Sequence, residues 1–495
     1  MSEAIPRRHV VAGMAAIGLS GLPPRARAAE TGLREQPGRP LGERLAAYAG
    51  GLSYDDLDDA TIERVKTHVI DTIGCGIAAF DERPVRICRD VALAPAGGAA
   101  SVIGTDRRTT PDLATFANGT AFRYYDLNDV YVGRFAGHPS DHIAACLAVA
   151  EAERASAEEL IIAIAIAYEV NCRLIDALDI GARGWDPPVV SLPAVTLAAG
   201  RLMKLAPDAL AQAVNLAVND HIAMGQTRTQ TNSDWKGLAD AEAGRNAVFA
   251  AMLARGGLTG PAPIFEGRKG FFELVSGPAN VDVDGFGRRG VPFRIHQCGL
   301  KPYQAVIYAQ TAIAAGIAVA SEVGDLDGVT SIEIATSRRG FEQTGRDPEK
   351  WTPVTRDTAD HSLPYITARA MFDGDIDNDS YAPEKFRDPR VLAFMRKITV
   401  REDPILTART SPSIVPTRIT AGLADGRRIV REVDDVPGFV GRPMSRADVE
   451  RKFRSNAGKR WPRERTDDIL QALWALDSAK DLSVLLGKLS VQRKS

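Results

Sequence analysis

Charge of one sign is missing from this chain of 495 residues: 61 Lys and Arg stand against 63 Asp and Glu, and no block of basic residues breaks the balance. A binder of nucleic acid held through phosphate contacts needs such an excess or such a run, so that class is excluded. Cysteine is sparse as well. Cys75, Cys88, Cys146, Cys172 and Cys298 show neither CxxC nor Cys/His ligand spacing, which leaves a zinc site, an iron–sulfur cluster or a disulfide framework without support. Cys75, Cys146 and Cys172 lie among Ala, Ile and Leu, where a thiol acts as a small core hydrophobe. Long apolar runs are absent too: residues 160–168 are apolar but stop at Glu169, far short of the roughly 20 residues that span a bilayer. No repeat recurs at the 20–50 residue periods of solenoids or propellers. What is present is the ordinary globular mixture, 45% hydrophobic and 25% charged, enough for a large buried core.

Residues 1–28 read as a secretory signal of the twin-arginine kind. Arg7-Arg8 opens a short apolar stretch that runs to Leu22, and Ala26-x-Ala28 supplies a cleavage pattern, although Pro6 stands where Ser or Thr is usual. The expected location is periplasmic, with no stable membrane insertion. The leader holds Arg7, Arg8, Arg25 and Arg27 against Glu3, so the remainder is mildly acidic.

The expected fold is multidomain, α and α+β: a large, discontinuous all-α helical domain with a smaller α+β domain inserted. Residues 41–276 read as successive helices. Ile62, Val65, Val69 and Ile73 recur at helical spacing, and Ser156-x-x-Glu159 is a capping box before the apolar run that belongs at the centre of a bundle. After Gly277-Pro278 the pattern changes. Residues 329–335 alternate like a strand, 398–400 suggest another, and residues 417–423 and 428–433 flank Asp425-Gly426 as a hairpin. This α+β part extends over 277–440. From Ser445-x-x-Asp448 the chain is helical again, and residues 441–490 are expected to return to the first domain.

Four stretches carry groups able to do chemistry. In the first, residues 125–129 (Tyr-Asp-Leu-Asn-Asp) precede Gly137-His138-Pro139-Ser140-Asp141, which puts a histidine beside acids at a helix start expected to be capped by Ser140. Trp235-Lys236-Gly237 offers a cation over an apolar surface, and a solvated lysine is the ordinary alternative. Lys301-Pro302-Tyr303 is basic and aromatic before a helix. Asp360-His361-Ser362-Leu363-Pro364-Tyr365 is the fourth, with Tyr365 either a proton donor or a core ring.

Taken together, these stretches resemble the MmgE/PrpD family. Asp71-Thr72-Ile73-Gly74, Asn118-Gly119-Thr120, Ala167-Tyr168-Glu169-Val170 and Phe265-Glu266-Gly267 add to the match, which runs from about Leu41 to about Leu486. The form Trp235-Lys236-Gly237, followed by Ala243-Gly244-Arg245-Asn246, looks closer to its 2-methylcitrate dehydratase branch than to its cis-aconitate decarboxylase branch. The resemblance implies a site between a helical and an α+β domain, a homodimer, neither metal nor cofactor, and a small anionic carboxylate as substrate. It carries Asp126, His138, Lys236, Lys301 and Tyr365 onto active-site positions. Two residues depart from the decarboxylase-like pattern: Val130 replaces a Thr, and Asp186, in Trp185-Asp186-Pro187-Pro188, replaces a His.

The expected chemistry is loss of water from a tricarboxylate such as 2-methylcitrate. His138, oriented by Asp126, is the expected acid or base and Tyr365 its complement, while Lys236 and Lys301 bind carboxylates and stabilise the enolate. A decarboxylase, an epimerase and a non-catalytic carboxylate binder are the alternatives. The account requires Lys236, Lys301 and His138 to meet in one positive pocket.

Overall fold

The capping box at Ser156 forms as the sequence requires. In the computed structural model, which describes residues 38–219 and 221–490, Ser156 Oγ accepts from the Glu159 amide and Glu159 Oε2 accepts from the Ser156 amide. The helix it opens, Ala157–Ala177, is buried at every position from Leu160 to Cys172, so its uniformly apolar surface faces other helices on all sides. Pro188–Leu202 packs along it, and Ala239–Arg255 packs against Pro188–Leu202. Both are rich in Ala, which lets the helix axes approach closely.

The described residues from Pro40 onward form one compact unit with two main apolar cores. The larger core is helical and includes Val449, Phe453, Ile469 and Leu473 from near the carboxyl end. These residues belong to Arg446–Ala457 and Arg463–Trp474, both packed on Asp59–Ala78. Gly74 makes the approach possible, because a Cβ there would sit 3.1 Å from the Phe453 ring. The second capping box, Ser445 with Asp448, starts Arg446–Ala457 as read from the sequence.

The smaller core lies on a four-stranded sheet in the order Ile398–Glu402, Val329–Thr336, Thr417–Leu423, Arg428–Val433. The first pair is parallel and the others antiparallel. The predicted hairpin is in register from Thr417 opposite Val433 to Gly422 opposite Arg428, and Gly426 turns it at φ 86°. Helices Gln310–Val323 and Leu363–Asp373 pack beside each other in this core.

A second sheet has no counterpart in the sequence reading. Asp129–Val132 pairs with Ala136–Gly137 on one side and with Gly299–Leu300 on the other. Asp129 lies opposite Leu300, so residues far apart in the chain are brought together where the candidate residues cluster. All five cysteines are free and buried, in keeping with the core role expected of three of them. Among the described residues no helix is long and apolar enough to cross a membrane. The signal expected at residues 1–28 lies outside the described residues.

Candidate active site

The site is built around Asp126. Helix Pro111–Arg123 ends just before it, and the Asp126 amide donates to the Arg123 carbonyl. Asp126 then adopts φ 52°, a left-handed conformation that Asp tolerates better than most residues, and turns the chain toward the strand Asp129–Val132. Its Oδ1 accepts from Arg123 Nη1 at 2.6 Å and from Lys301 Nζ. Lys301 also donates to the Asp126 carbonyl at 2.8 Å. The pairing of Gly299–Leu300 with the Asp129 strand sets Lys301 there, and Gln310 ties the loop that follows by bonding Tyr303 and Ala305.

His138 and His361 complete the ring around this carboxylate. His138 Nε2 is 3.9 Å from Asp126 Oδ1, and His361 Nε2 is 3.8 Å from Oδ2. His138 Nδ1 is 2.6 Å from the carbonyl oxygen of Asp129. A carbonyl can only accept, so Nδ1 carries the proton and neutral His138 presents a bare Nε2. Burial, followed by the charges of Arg123 and Lys301, holds His138 well below the usual histidine range. Asp129 is itself fixed: Tyr168, His68 and the Ser140 amide all reach its carboxylate.

His361 follows the same logic. Its Nδ1 lies 2.6 Å from Asp360 Oδ1, which leaves Nε2 as the acceptor, and burial with the nearby Lys236 brings its pKa down to about 4. Burial raises Asp360, yet Lys236, His361 and Arg356 together hold it at about 2. The buried cations are therefore matched unevenly. Asp126 is kept well below the normal carboxyl range despite its burial, whereas burial pushes Asp357 up to about 6 and, with Asp240 beside it, Asp141 well up. Arg123, Lys236, Lys301 and Arg356 thus face Asp126, Asp129 and Asp360, which stay ionised, and Asp357, which titrates at about 6. Lys301 itself comes down to about 8, because burial outweighs the pull of Asp126.

A cavity of about 600 Å³ opens beside this cluster. Arg123, Asp126, His138, Asp186, Arg228 and His361 line it, and Arg339 and Arg346 stand on the wall formed by the α+β part. Its size and convergent polar groups suit a small ligand.

Five sequence expectations need correction. Tyr365 does not join the cluster: its hydroxyl donates to the Ser380 carbonyl, and its ring packs near Tyr381 in the smaller core. Lys236 is fully buried and gives its ammonium to Asp360 at 2.6 and 2.8 Å, so it is an internal ion pair and does not line the cavity. Ser140 caps no helix. A 3-10 turn, Pro139–His142, follows His138, and the Ser140 amide is occupied by Asp129 while its Oγ accepts from Asn128. The group that orients His138 is the Asp129 carbonyl, with Asp126 further away. Lys236, Lys301 and His138 do come together around Asp126, but of the three only His138 lines the cavity, so they do not form the positive pocket that was expected.

Arg123, His361 and Arg228 were missed. Arg123 lies three residues before Asp126 and ends the preceding helix, a spacing that could have marked it. His361 lies in the same Asp360–Tyr365 stretch as Tyr365. Arg228 falls in a polar segment without pattern, and only folding brings it to Asp186. Val130 turns its side chain into the smaller core and is absent from the cavity wall.

Comparison with known proteins gives two family matches: the MmgE/PrpD N-terminal domain over residues 43–284, and the MmgE/PrpD C-terminal domain over residues 303–476. The cavity takes residues from both regions. A 2-methylcitrate dehydratase of Cupriavidus necator is 27% identical, over 87% of this chain and 90% of its own length. The cis-aconitate decarboxylase of Homo sapiens is 25% identical, over 90% and 93%. A 2-methylcitrate dehydratase of Salmonella typhimurium is 25% identical, over 87% and 92%.

Proposed function

The chain belongs to the MmgE/PrpD family, and from this premise we propose that it is a lyase that removes water from a tricarboxylate of the 2-methylcitrate type. The observation that carries the reading is the state of His138: neutral, its Nδ1 proton held by the Asp129 carbonyl, its bare Nε2 beside the cavity and within the field of Arg123 and Lys301. Such an imidazole is a general base at neutral pH.

His138 Nε2 takes the proton from the carbon next to a substrate carboxylate. The carbanion that forms shares its charge with that carboxylate as an enolate, and the field of Arg123 and Lys301 lowers its energy. Elimination of the hydroxyl on the neighbouring carbon then yields the double bond. Arg339 and Arg346, on the opposite wall, bind the remaining carboxylates through their planar forks. The cavity has room for a substrate of this size.

Relatives of similar identity bear both dehydratase and decarboxylase names. Asp186, which stands where the decarboxylase-like pattern has a His, weakens the decarboxylase reading. The reading also retains proton transfer by side chains alone, a homodimer, and export through the twin-arginine leader. Chelator treatment, sizing chromatography and amino-terminal sequencing of the secreted protein test these three.

The function is tested by incubating the protein with di- and tricarboxylates in heavy water and following the products by NMR. Loss of water with deuterium uptake is expected. Release of carbon dioxide means a decarboxylase, exchange without elimination an epimerase, and binding without exchange a non-catalytic protein.

A further inference from the structure

Removal of Tyr365 from the site leaves the proposed dehydration without a proton donor for the departing hydroxyl. Neither histidine of the cluster fits that role, because each is neutral with its single N–H directed into the protein, to the Asp129 carbonyl and the Asp360 carboxylate respectively. Lys301 is spent on Asp126. Water loss from a β-hydroxy acid requires such a donor, since hydroxide is a poor leaving group.

Asp186 has the attributes of one. It lines the cavity wall, in the segment that opens helix Pro188–Leu202, and is only 2% exposed. Its amide donates to the Ala223 carbonyl at 2.8 Å, which pins the backbone. One carboxyl oxygen, Oδ1, accepts from Arg228 Nε at 2.7 Å, while Oδ2 is buried with no hydrogen-bond partner among the described residues. A buried carboxyl oxygen without a partner is costly when ionised, and the cost falls if that oxygen carries a proton and gives it to a ligand. We infer that Asp186 is the catalytic acid, with Oδ2 delivering its proton to the hydroxyl that leaves. The inference rests on the dehydratase reading and completes it.

The step balances. His138 Nε2 takes the carbon-bound proton, the freed electron pair forms the double bond, and the carbon–oxygen bond breaks. The oxygen takes the Asp186 proton and departs as water. Asp186 is left as a carboxylate paired with Arg228, and regains its proton from solvent as His138 loses one. Among the charged groups around it, Asp240 opposes the ionised form, while Arg228 and Arg123 favour it. Burial dominates and brings Asp186 up to about 6, so a protonated fraction exists in the range where His138 is a base.

The test uses the full-length protein and two substrates: the hydroxy tricarboxylate, and its analogue with fluorine in place of the departing hydroxyl. Fluoride leaves without a proton. Asp186→Asn is expected to slow water loss by about 10²-fold or more, yet to release fluoride within a few-fold of the unaltered protein. Asp186→Glu, which keeps an acid at the site, is expected to recover part of the water loss. Equal loss on both substrates would mean a structural role for Asp186, and an unchanged rate of water loss would mean no role; either outcome overturns the inference. Failure of the unaltered protein to act on either substrate overturns the dehydratase reading instead.

Discussion

The Lys236 ammonium contacts both oxygens of the Asp360 carboxylate, at 2.6 and 2.8 Å, with both side chains fully buried. Breaking one side of such a pair leaves an uncompensated charge in the interior. Lys236→Met is therefore expected to destabilise the protein by about 3–5 kcal/mol, read as a shift in the urea unfolding midpoint. Adding Asp360→Asn removes the stranded charge and is expected to recover part of the loss. An unchanged midpoint together with weakened substrate binding would return Lys236 to the role of carboxylate clamp.

In the proposed mechanism the carboxylate contacts fall to the arginines of the opposite wall. Arg339 pairs only loosely with Glu342, at 3.9 Å, and lines the cavity. Arg339→Gln is expected to raise KM about 10- to 100-fold, by losing a charge-assisted hydrogen bond of about 1.5–3 kcal/mol, with little change in kcat. A fall in kcat at constant KM would place Arg339 in the chemical step and contradict the assignment.

Much of this arrangement was legible in the sequence, and the reason it was legible is physical. The two capping boxes, the buried helix after Ser156 and the hairpin at Asp425-Gly426 are set by contacts within a few residues, which local pattern records. Asp126, His138 and Lys301 were identified and do converge. The sheet that joins them was not, because pairs of two residues such as Ala136–Gly137 and Gly299–Leu300 are too short to show alternation. The roles of Lys236 and Tyr365 were misjudged for a related reason. Burial beside Asp360, and a hydroxyl directed at Ser380, are consequences of tertiary structure that residue type alone does not reveal.

Stability should depend on pH through Asp186. Its folded-state value of about 6 lies above the ordinary 3.8, so folding favours the protonated form. The stabilisation is complete below about 3.8 and is lost as pH rises through about 6. Arg228 and Arg123 counter this effect and Asp240 adds to it. Asp186→Asn, which cannot ionise, should lack this dependence. The melting temperature of the unaltered protein is thus expected to fall relative to the variant between pH 4 and 6, and a difference that stays constant with pH would contradict the assignment.

The central claim is that His138 Nε2 removes a carbon-bound proton, and its most direct measurement is deuterium exchange into the tricarboxylate in heavy water by the His138→Asn variant. The folded variant is expected to lose both exchange and water elimination by about 10²-fold or more, whereas Asp186→Asn, which lacks only the acid, keeps proton abstraction and fluoride release. Exchange at a near-normal rate in folded His138→Asn would contradict the account.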